Sequence, residues 1–236
     1  MTGPFTRAPF AFPLAGEALS ALPDRALFWL RTRSLIVADV HLGKAAAFRR
    51  AGVPVPSGAT AADLARLEAL IAEHQPQRLL VLGDLFHARL SRDEPAMAEI
   101  EAFRGRQAGL EICAIRGNHD RKLEALPAHW QIEWIAGGLH QPPFVFAHEP
   151  AADARGFVLA GHIHPVLRLR SRVDAARLPL FWFRHSERIG VLPSFGSFTG
   201  GYPVQPAVED TVIAVTPDGL VALQSWSSIE SVPCTS

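Results

Sequence analysis

Apolar runs and amphipathic stretches alternate along the first half of the chain. The apolar runs predict four buried strands, at residues 26–30, 34–38, 78–82 and 110–115. The amphipathic stretches predict helices at residues 45–50, at residues 60–74, and after a capping box formed by Ser91 and Glu94. Because strands that alternate with helices pair in parallel through crossover connections, this half predicts a parallel sheet.

The second half of the chain has short apolar runs with few helical stretches between them. Strands are predicted at residues 131–135, 144–147, 157–160, 178–184, 189–192, 212–215 and 220–223. We expect these strands to form a second, largely antiparallel sheet packed on the first. The whole chain, residues 1–236, is interpreted as one α/β domain with irregular segments at 1–23 and 225–236.

Composition mainly excludes classes of function. The 23 basic and 23 acidic residues cancel, so any binding of anions must come from local clusters rather than from net charge. The two cysteines, Cys113 and Cys234, form no C-x-x-C pair, which argues against a thiolate metal site. There is no signal-peptide pattern and no apolar run of about 18 residues, so we expect a cytoplasmic protein without a membrane span.

Candidate chemistry lies where five of the apolar runs end. The residues that follow those runs are Asp39 and His41, Asp84, Asn118 and His119, His148, and His162 and His164. Any one of them alone has a structural explanation as a turn former, a helix cap or a hydrogen-bonded histidine. Together they predict one metal site, because a structural role gives no reason for such residues at five strand ends.

The type and spacing of these residues indicate the kind of metal. Asp39 and His41 stand two residues apart, as do His162 and His164, and in an extended chain this spacing directs both side chains to one face. Oxygen and imidazole ligands without thiolate suit Mn²⁺, Fe or Zn²⁺.

The order of these motifs resembles that of the calcineurin-like metallophosphoesterases, which is D-x-H, G-D, G-N-H-[DE], H and G-H-x-H. The motifs occur here as Asp39-Val40-His41, Gly83-Asp84, Gly117-Asn118-His119-Asp120, His148 and Gly161-His162-Ile163-His164. The resemblance implies a two-sheet αββα sandwich with phosphodiesterase activity. It also implies two divalent metal ions, Mn²⁺ before Fe or Zn²⁺, with a bridging hydroxide as the nucleophile.

The resemblance further implies a role for each residue. The first ion would be held by Asp39, His41, Asp84 and His164. The second would be held by Asp84, Asn118, His148 and His162, so that Asp84 bridges the two ions. His119 would protonate the leaving oxygen as a general acid, because the pKa of imidazole lies near neutrality.

One position departs from the family pattern. Many members have G-D-x-x-D, whose second aspartate steadies the catalytic histidine, but that position is His87 in this chain. Either Asp120 or a backbone carbonyl then steadies His119, or His119 is oriented differently. Asp120 is the candidate that we count with the catalytic residues. His87 itself either faces the substrate or has a structural role.

Three short segments, Ala38 to Lys44, Phe48 to Gly52 and Leu192 to Gly201, resemble a bacterial subgroup of ligase-associated DNA damage response endonucleases. That resemblance implies DNA as the substrate, and a DNA ligase and a helicase as partners. The candidate phosphate-binding residues lie near the motifs and are Lys44, Arg49, Arg50, Arg116, Arg121 and His87. Two other functions stay open, a hydrolase of small phosphoesters such as cyclic nucleotides, and an inactive metal-binding scaffold.

Overall fold

The computed structural model describes residues 8–87, 95–123, 125–170 and 175–223. The first sheet has seven strands, whose order in space is their order in the chain. These strands are β1 (Phe10–Leu14), β2 (Glu17–Leu22), β3 (Ala26–Trp29), β4 (Ser34–Val37), β5 (Arg78–Leu82), β6 (Glu111–Ile115) and β7 (Ile132–Ile135). Strands β1 to β4 pair antiparallel, and β4 to β7 pair in parallel.

The α-helices of the described residues connect the parallel strands. They are α1 (Lys44–Arg50), α2 (Ala59–His74) and α3 (Pro95–Arg106). Since α1 and α2 lie between β4 and β5, and α3 lies between β5 and β6, the predicted crossover arrangement of the first half is confirmed. None of the described helices is long and apolar enough to cross a membrane.

The second sheet contains nine strands and is mixed. They are β8 (Leu139–Gln141), β9 (Phe144–Phe146), β10 (Phe157–Ala160), β11 (Pro165–Arg170), β12 (Ala175–Arg184), β13 (Ile189–Val191), β14 (Tyr202–Pro203), β15 (Thr211–Thr216) and β16 (Gly219–Leu223). The expectation of a largely antiparallel sheet is wrong at its centre, since β10 runs parallel to both β9 and β13. The run at 131–135 is β7, which pairs with β6 in the first sheet. Short apolar runs show that a strand exists, but its partner depends on contacts distant in sequence.

The composition predicts an irregular segment at residues 1–23, but its described part, from residue 8 onward, forms the β1–β2 hairpin. Leu19 and Ala21 are fully buried, and Phe10 and Phe12 pack against the same core. Pro13 breaks the apolar pattern, but β1 is an edge strand, where a proline need not remove a ladder hydrogen bond. The capping box at Ser91 and Glu94, Cys234 and the segment 225–236 lie outside the described residues.

The two sheets pack face to face over large apolar side chains. Trp29 from the first sheet meets Phe144 from the second, with ring centroids 5.1 Å apart at 84°. Helices α2 and α3 cover the other face of the first sheet through Leu67 and Phe103. Because both faces of β4, β5 and β6 are buried, these strands are continuous apolar runs, which is why the sequence pattern identifies them. The α/β fold with two packed sheets is confirmed.

The segments that follow these strands are tied to one another by their backbones. The N–H of Asp39 donates to the carbonyl of Gly83 at 3.2 Å, and that of His41 donates to the carbonyl of Asp84 at 2.9 Å. In the second sheet, the N–H of Gly161 donates to the carbonyl of His148 at 3.1 Å. The polar residues at the strand ends are therefore held at one edge of the sandwich, where ligands bind in open α/β sheets.

Candidate metal centre

Seven polar side chains gather where the strands end, as the sequence predicts. Asp39 and His41 follow β4, Asp84 follows β5, Asn118 follows β6, His148 follows β9, and His162 and His164 follow β10. Asp39, His41, Asp84 and His148 are at most 5% exposed. Because buried polar groups are costly unless something satisfies them, this group, called the cluster below, requires an explanation.

One half of the cluster is formed by Asp39, His41 and His164. Nε2 of His41 lies 3.4 Å from Nε2 of His164, which in turn lies 3.4 Å from Oδ1 of Asp39. Oδ2 of Asp84 lies 4.0 Å from Nε2 of His41. Ring nitrogens and carboxylate oxygens therefore face one small space.

The other half is formed by Asn118, His148 and His162. Nδ1 of His162 lies 3.1 Å from Nε2 of His148 and 3.4 Å from Nδ2 of Asn118. Nε2 of His148 lies 3.7 Å from the same Oδ2 of Asp84. One oxygen of Asp84 thus stands between the two halves.

The backbone at these positions is unusual. Five cluster residues adopt the left-handed conformation, with φ of 52° at Asp39, 53° at His41, 48° at Asp84, 71° at His162 and 51° at His164. This conformation costs a residue other than glycine about 1–3 kcal/mol and concentrates at functional sites. The expectation that the two spaced pairs lie in extended chain is therefore wrong, and tight turns bring their side chains together instead.

Glycines of the motifs make room for the cluster. A Cβ atom on Gly83 would lie 2.0 Å from Nδ1 of His148, and one on Gly117 would lie 2.1 Å from Oδ1 of Asp84. A Cβ atom on Gly161 would lie 2.4 Å from Oδ2 of Asp39. Each motif glycine is thus required because a cluster side chain occupies the space that any other residue would fill.

Backbone groups orient the cluster side chains. Nδ1 of His148 lies 3.2 Å from the carbonyl of Leu82, and Nδ1 of His164 lies 3.2 Å from the carbonyl of Gly200. If each Nδ1–H donates to its carbonyl, the lone pair of Nε2 is left to face the cluster, which is the arrangement of histidines that bind metals. The carboxylates of Asp39 and Asp84 accept the N–H groups of His162 at 2.8 Å and His119 at 2.9 Å.

The cluster fits divalent metal ions. Among the described residues, the buried Oδ1 of Asn118 has no hydrogen-bond partner, and the buried Oδ1 of Asp39 has only the 3.4 Å contact with Nε2 of His164. A cation in each half of the cluster would satisfy one of these oxygens, and the cation on the Asp39 side would also be faced by the ring nitrogens of His41 and His164. Carboxylate, amide and imidazole groups without thiolate suit Mn²⁺, Fe and Zn²⁺.

The electrostatic environment keeps His41 neutral. Burial, together with the nearby charge of Lys44, lowers the pKa of His41 to about 2. Burial also lowers the pKa of Lys44 itself, although Asp39 and Asp84 oppose that shift. Burial likewise acts to lower the pKa of His164, but the contact with Asp39, the charge of that carboxylate and the carbonyl of Gly200 together outweigh burial and raise this pKa. A neutral imidazole such as that of His41 has a lone pair available for a metal ion.

His119 lies at the edge of the cluster and is oriented by a backbone carbonyl. Its Nδ1 lies 3.0 Å from the carbonyl oxygen of His87, and its ring stacks on the ring of His87 at 4.5 Å. The carboxylate of Asp120 is fully buried and accepts the N–H groups of Leu85, Phe86 and Gly117 at 3.0–3.2 Å. The expectation that Asp120 orients His119 is therefore wrong.

His87 is half-buried between His119 and Phe48, and Phe48 stacks on its other side at 5.8 Å. Burial, and then the proximity of His119, lowers the pKa of His87 to about 4, so its ring is neutral near neutral pH. The structure thus gives His87 both a packing contact and an orienting carbonyl.

The predicted phosphate-binding cations lie in different environments. Lys44 is half-buried and shares a small cavity with His41. Arg49 donates to the carbonyl of Pro56 at 2.9 Å, a backbone contact that the sequence does not foresee. Arg50 is exposed at the end of α1. Arg116 and Arg121 line a cavity of about 480 Å³ beside His148.

Several residues that support the site are not among those identified from the sequence. Asp63, buried on α2, accepts the N–H of Ser197 at 3.1 Å, and Arg66 donates to the carbonyl of Phe195. These two contacts hold the loop that contains Gly196. The loop packs closely on the first motif, since a Cβ atom on Gly196 would lie 2.5 Å from the carbonyl oxygen of Val40. The one feature of the sequence that could have indicated this role is Asp63 itself, an aspartate beside the apolar positions of an amphipathic helix.

A two-sheet α/β fold with this set of oxygen and imidazole groups at its edge defines a metal-dependent phosphoester hydrolase. The chain belongs to the calcineurin-like phosphoesterase family, whose model matches residues 32–215. The resemblance found in the motifs is thereby confirmed.

Comparison with solved structures gives a similar nuclease. The Pseudomonas putida nuclease MPE is 39% identical, with a TM-score of 0.79 over 92% of this chain and 100% of that chain. A protein of unknown function from Aquifex aeolicus is 16% identical, with a TM-score of 0.44 over 68% of this chain and 88% of that chain. The E. coli phosphoesterase Yfce is 16% identical, with a TM-score of 0.37 over 85% of this chain and 96% of that chain. No curated protein matches the chain.

Proposed function

We propose that this protein is a two-metal phosphodiesterase that hydrolyses DNA as an endonuclease. The observation that carries the proposal is the position of His119 beside the cluster. The ring of His119 lies 5.1 Å from that of His41, and its Nδ1 bonds the carbonyl of His87. A cluster that only stored metal would not need an oriented imidazole at its edge. The similarity to a nuclease supports nucleic acid as the substrate.

The two halves of the cluster would each hold one ion. Asp39, His41, Asp84 and His164 would hold the first, and Asp84, Asn118, His148 and His162 the second. The oxygen of Asp84 that lies 4.0 Å from His41 and 3.7 Å from His148 supports its bridging role. Mn²⁺ is the ion that we favour, with Fe and Zn²⁺ as alternatives. When bound, two such ions neutralise phosphate charge and lower the pKa of water.

His119 supplies a proton in this mechanism. With its Nδ1–H donating to the carbonyl of His87, Nε2 is the ring atom left to carry the transferable proton. The alkoxide released from a DNA phosphodiester is a poor leaving group, and proton donation speeds its departure by about 100- to 10,000-fold. The carbonyl of His87 thereby does what the second aspartate of G-D-x-x-D does in other members of the family.

Lys44 adds positive charge where the substrate phosphate must lie. Its ammonium interacts with both Asp39 and Asp84, and it shares a cavity with His41. A half-buried cation at this position would attract the phosphodiester without closing the site to a polymer. The chain as a whole has no net charge, so this local charge matters.

A role in DNA repair in the cytoplasm, with a DNA ligase and a helicase as partners, is the further part of the proposal. It is supported by the resemblance of Phe48 to Gly52 and Leu192 to Gly201 to ligase-associated endonucleases. Affinity purification of the tagged protein from its own host tests it. If neither a DNA ligase nor a helicase co-purifies with the protein, the proposed partnership is contradicted.

The activity is tested on a series of substrates with Mn²⁺ present. We expect hydrolysis of bis(4-nitrophenyl) phosphate and of single-stranded oligonucleotides, with slower hydrolysis of 4-nitrophenyl phosphate. Activity on the small diester but not on oligonucleotides would indicate a hydrolase of small phosphoesters. Metal binding without any hydrolysis would indicate an inactive scaffold.

A further inference from the structure

Two cavities meet at the His164 side of the metal centre. The smaller, of about 310 Å³, is lined by His164 itself, by the loop at Ser197 and Thr199, and by Arg25 and Arg177. The larger, of about 810 Å³, shares Arg25 and Arg177 with it and continues toward α2. The shared residues make the two cavities one groove that starts at a cluster residue and leads away from the cluster.

The part of the groove nearest the cluster is positively charged. Among the described residues that line the smaller cavity, Arg25 and Arg177 are cationic and none is acidic. The larger cavity is more mixed, since Asp24 and Glu73 line it as well. A cleft lined by one sign of charge concentrates ligands of the opposite sign, so the smaller cavity favours an anion.

The charge of Arg177 is not balanced by any acidic side chain among the described residues. Arg177 is exposed on β12, and its guanidinium forms no ion pair within the described parts of the chain. Its direct neighbour across the β11–β12 ladder is Arg168, which is also exposed. Like charges directly opposite each other destabilise a sheet, and an anion bound between them would remove that cost.

Arg25 connects the groove to the cluster through Ser194. Its Nη1 donates to the carbonyl of Ser194 at 3.5 Å, and the hydroxyl of Ser194 donates to the carbonyl of Asp39 at 2.9 Å. This long bond leaves most of the donors of the Arg25 guanidinium available to a ligand. Arg25 is half-buried, so its charge is less screened than that of a surface arginine.

We infer that this groove binds one flank of a polynucleotide strand, with Arg25 and Arg177 contacting phosphates beyond the scissile one. The inference rests on the proposed nuclease function and adds a direction to it, since the strand leaves the metal centre past His164. A small phosphodiester would occupy the metal centre and has no further phosphates for these arginines. Repeated phosphates along a strand match a line of cations.

The test compares Arg177→Ala with Arg188→Ala. Arg188 is an exposed arginine in the turn between β12 and β13, at the end of β12 remote from the metal centre, so its removal changes net charge equally. Three measurements are made on each variant and on the wild type with Mn²⁺: hydrolysis of bis(4-nitrophenyl) phosphate, cleavage of a long oligothymidylate, and cleavage of a thymidine dinucleotide. Anisotropy of a fluorescein-labelled oligothymidylate, in chelator, measures binding without cleavage.

We expect Arg177→Ala to raise KM for the oligothymidylate about 5-fold. It should also reduce the slope of the logarithm of the binding constant against the logarithm of the salt concentration by about one. Its effect on the dinucleotide and the aryl diester should be at least about 3-fold smaller, and Arg188→Ala should resemble the wild type. Equal effects of the two variants on cleavage of the long strand would contradict the inference that this groove binds the strand. If the wild type cleaves no oligothymidylate, the nuclease proposal fails, and the anisotropy comparison still decides whether the groove binds strands.

Discussion

The two sides of the metal centre both carry a pair of arginines, yet the pairs differ in what they contact. On the His148 side, Arg116 donates to the carbonyl of Leu123 at 2.7 Å, and Arg121 pairs with Glu149 at 3.5 Å. On the His164 side, Arg177 has no ion pair within the described residues, and Arg25 makes one long bond to a carbonyl. Arg116 is thus engaged with the backbone and the charge of Arg121 faces that of Glu149, whereas neither Arg25 nor Arg177 forms an ion pair with another described residue.

This difference shows that closeness to a motif in sequence is a poor guide to substrate contacts. Arg116 and Arg121 flank the Gly117 to Asp120 motif and were natural candidates for phosphate binding. A residue beside a motif is also beside the turn that the motif forms, and its donors satisfy that turn. Arg177 lies on β12 and Arg25 in the turn between β2 and β3, so both reach the site from segments that are distant from the motifs in sequence.

The largest expected effect tests whether the two sides share one centre. Asp84→Ala should weaken Mn²⁺ binding by more than about 100-fold and abolish hydrolysis, because a ligand common to both ions is lost. Equilibrium dialysis and the aryl diester assay measure both properties. Asp153→Ala is the control, since Asp153 is bonded to its neighbour Arg155. If Asp84→Ala binds two ions as tightly as the wild type, the two halves do not share that ligand.

The next effect tests proton donation by His119, which lies at the edge of the cluster. His119→Ala should bind Mn²⁺ normally but cleave oligonucleotides about 100- to 10,000-fold more slowly. Its loss on bis(4-nitrophenyl) phosphate should be much smaller, because 4-nitrophenolate leaves without a proton. His129→Ala, which removes a histidine with a 68% exposed side chain, is the control. Equal losses on the two substrates would contradict a role of His119 as general acid.

A smaller effect separates the two arginines of the His148 side. Arg116→Ala should lower the free energy of unfolding by about 1–2 kcal/mol, because the carbonyl of Leu123 loses its donor. Arg121→Ala should change it by less than about 0.5 kcal/mol, since Arg121 has a 73% exposed side chain. Chemical denaturation measures both variants. Equal stability of the two would show that Arg116 is not engaged as the structure indicates.

The smallest expected effect is on KM for a long strand, compared between one arginine from each side. Arg121→Ala should raise KM for a long oligothymidylate by less than about 2-fold, because its exposed pair with Glu149 already offsets its charge. The same measurement on Arg177→Ala should give the larger change. A greater loss for Arg121→Ala would reverse the direction that we assign to the strand.

Much of the fold follows from sequence where burial is complete. Strands β4, β5 and β6 are predicted within a residue or two because both of their faces are buried. Strands β1 and β2 were missed because their alternation is short and broken by Pro13. The neighbour of β7 could not be predicted either, since its partner β6 is selected by packing rather than by pattern.

By itself the sequence determined which residues form the cluster, because aspartate, asparagine and histidine at five strand ends have few uses other than metal binding. It did not determine how those residues meet, since the left-handed backbone at Asp39 and His41 is imposed by neighbouring segments. The tertiary structure alone decided that a carbonyl of His87 orients His119 and that Asp120 is occupied with three backbone N–H groups. Backbone carbonyls and amides are the same at every residue, so only their positions in space can assign them a role.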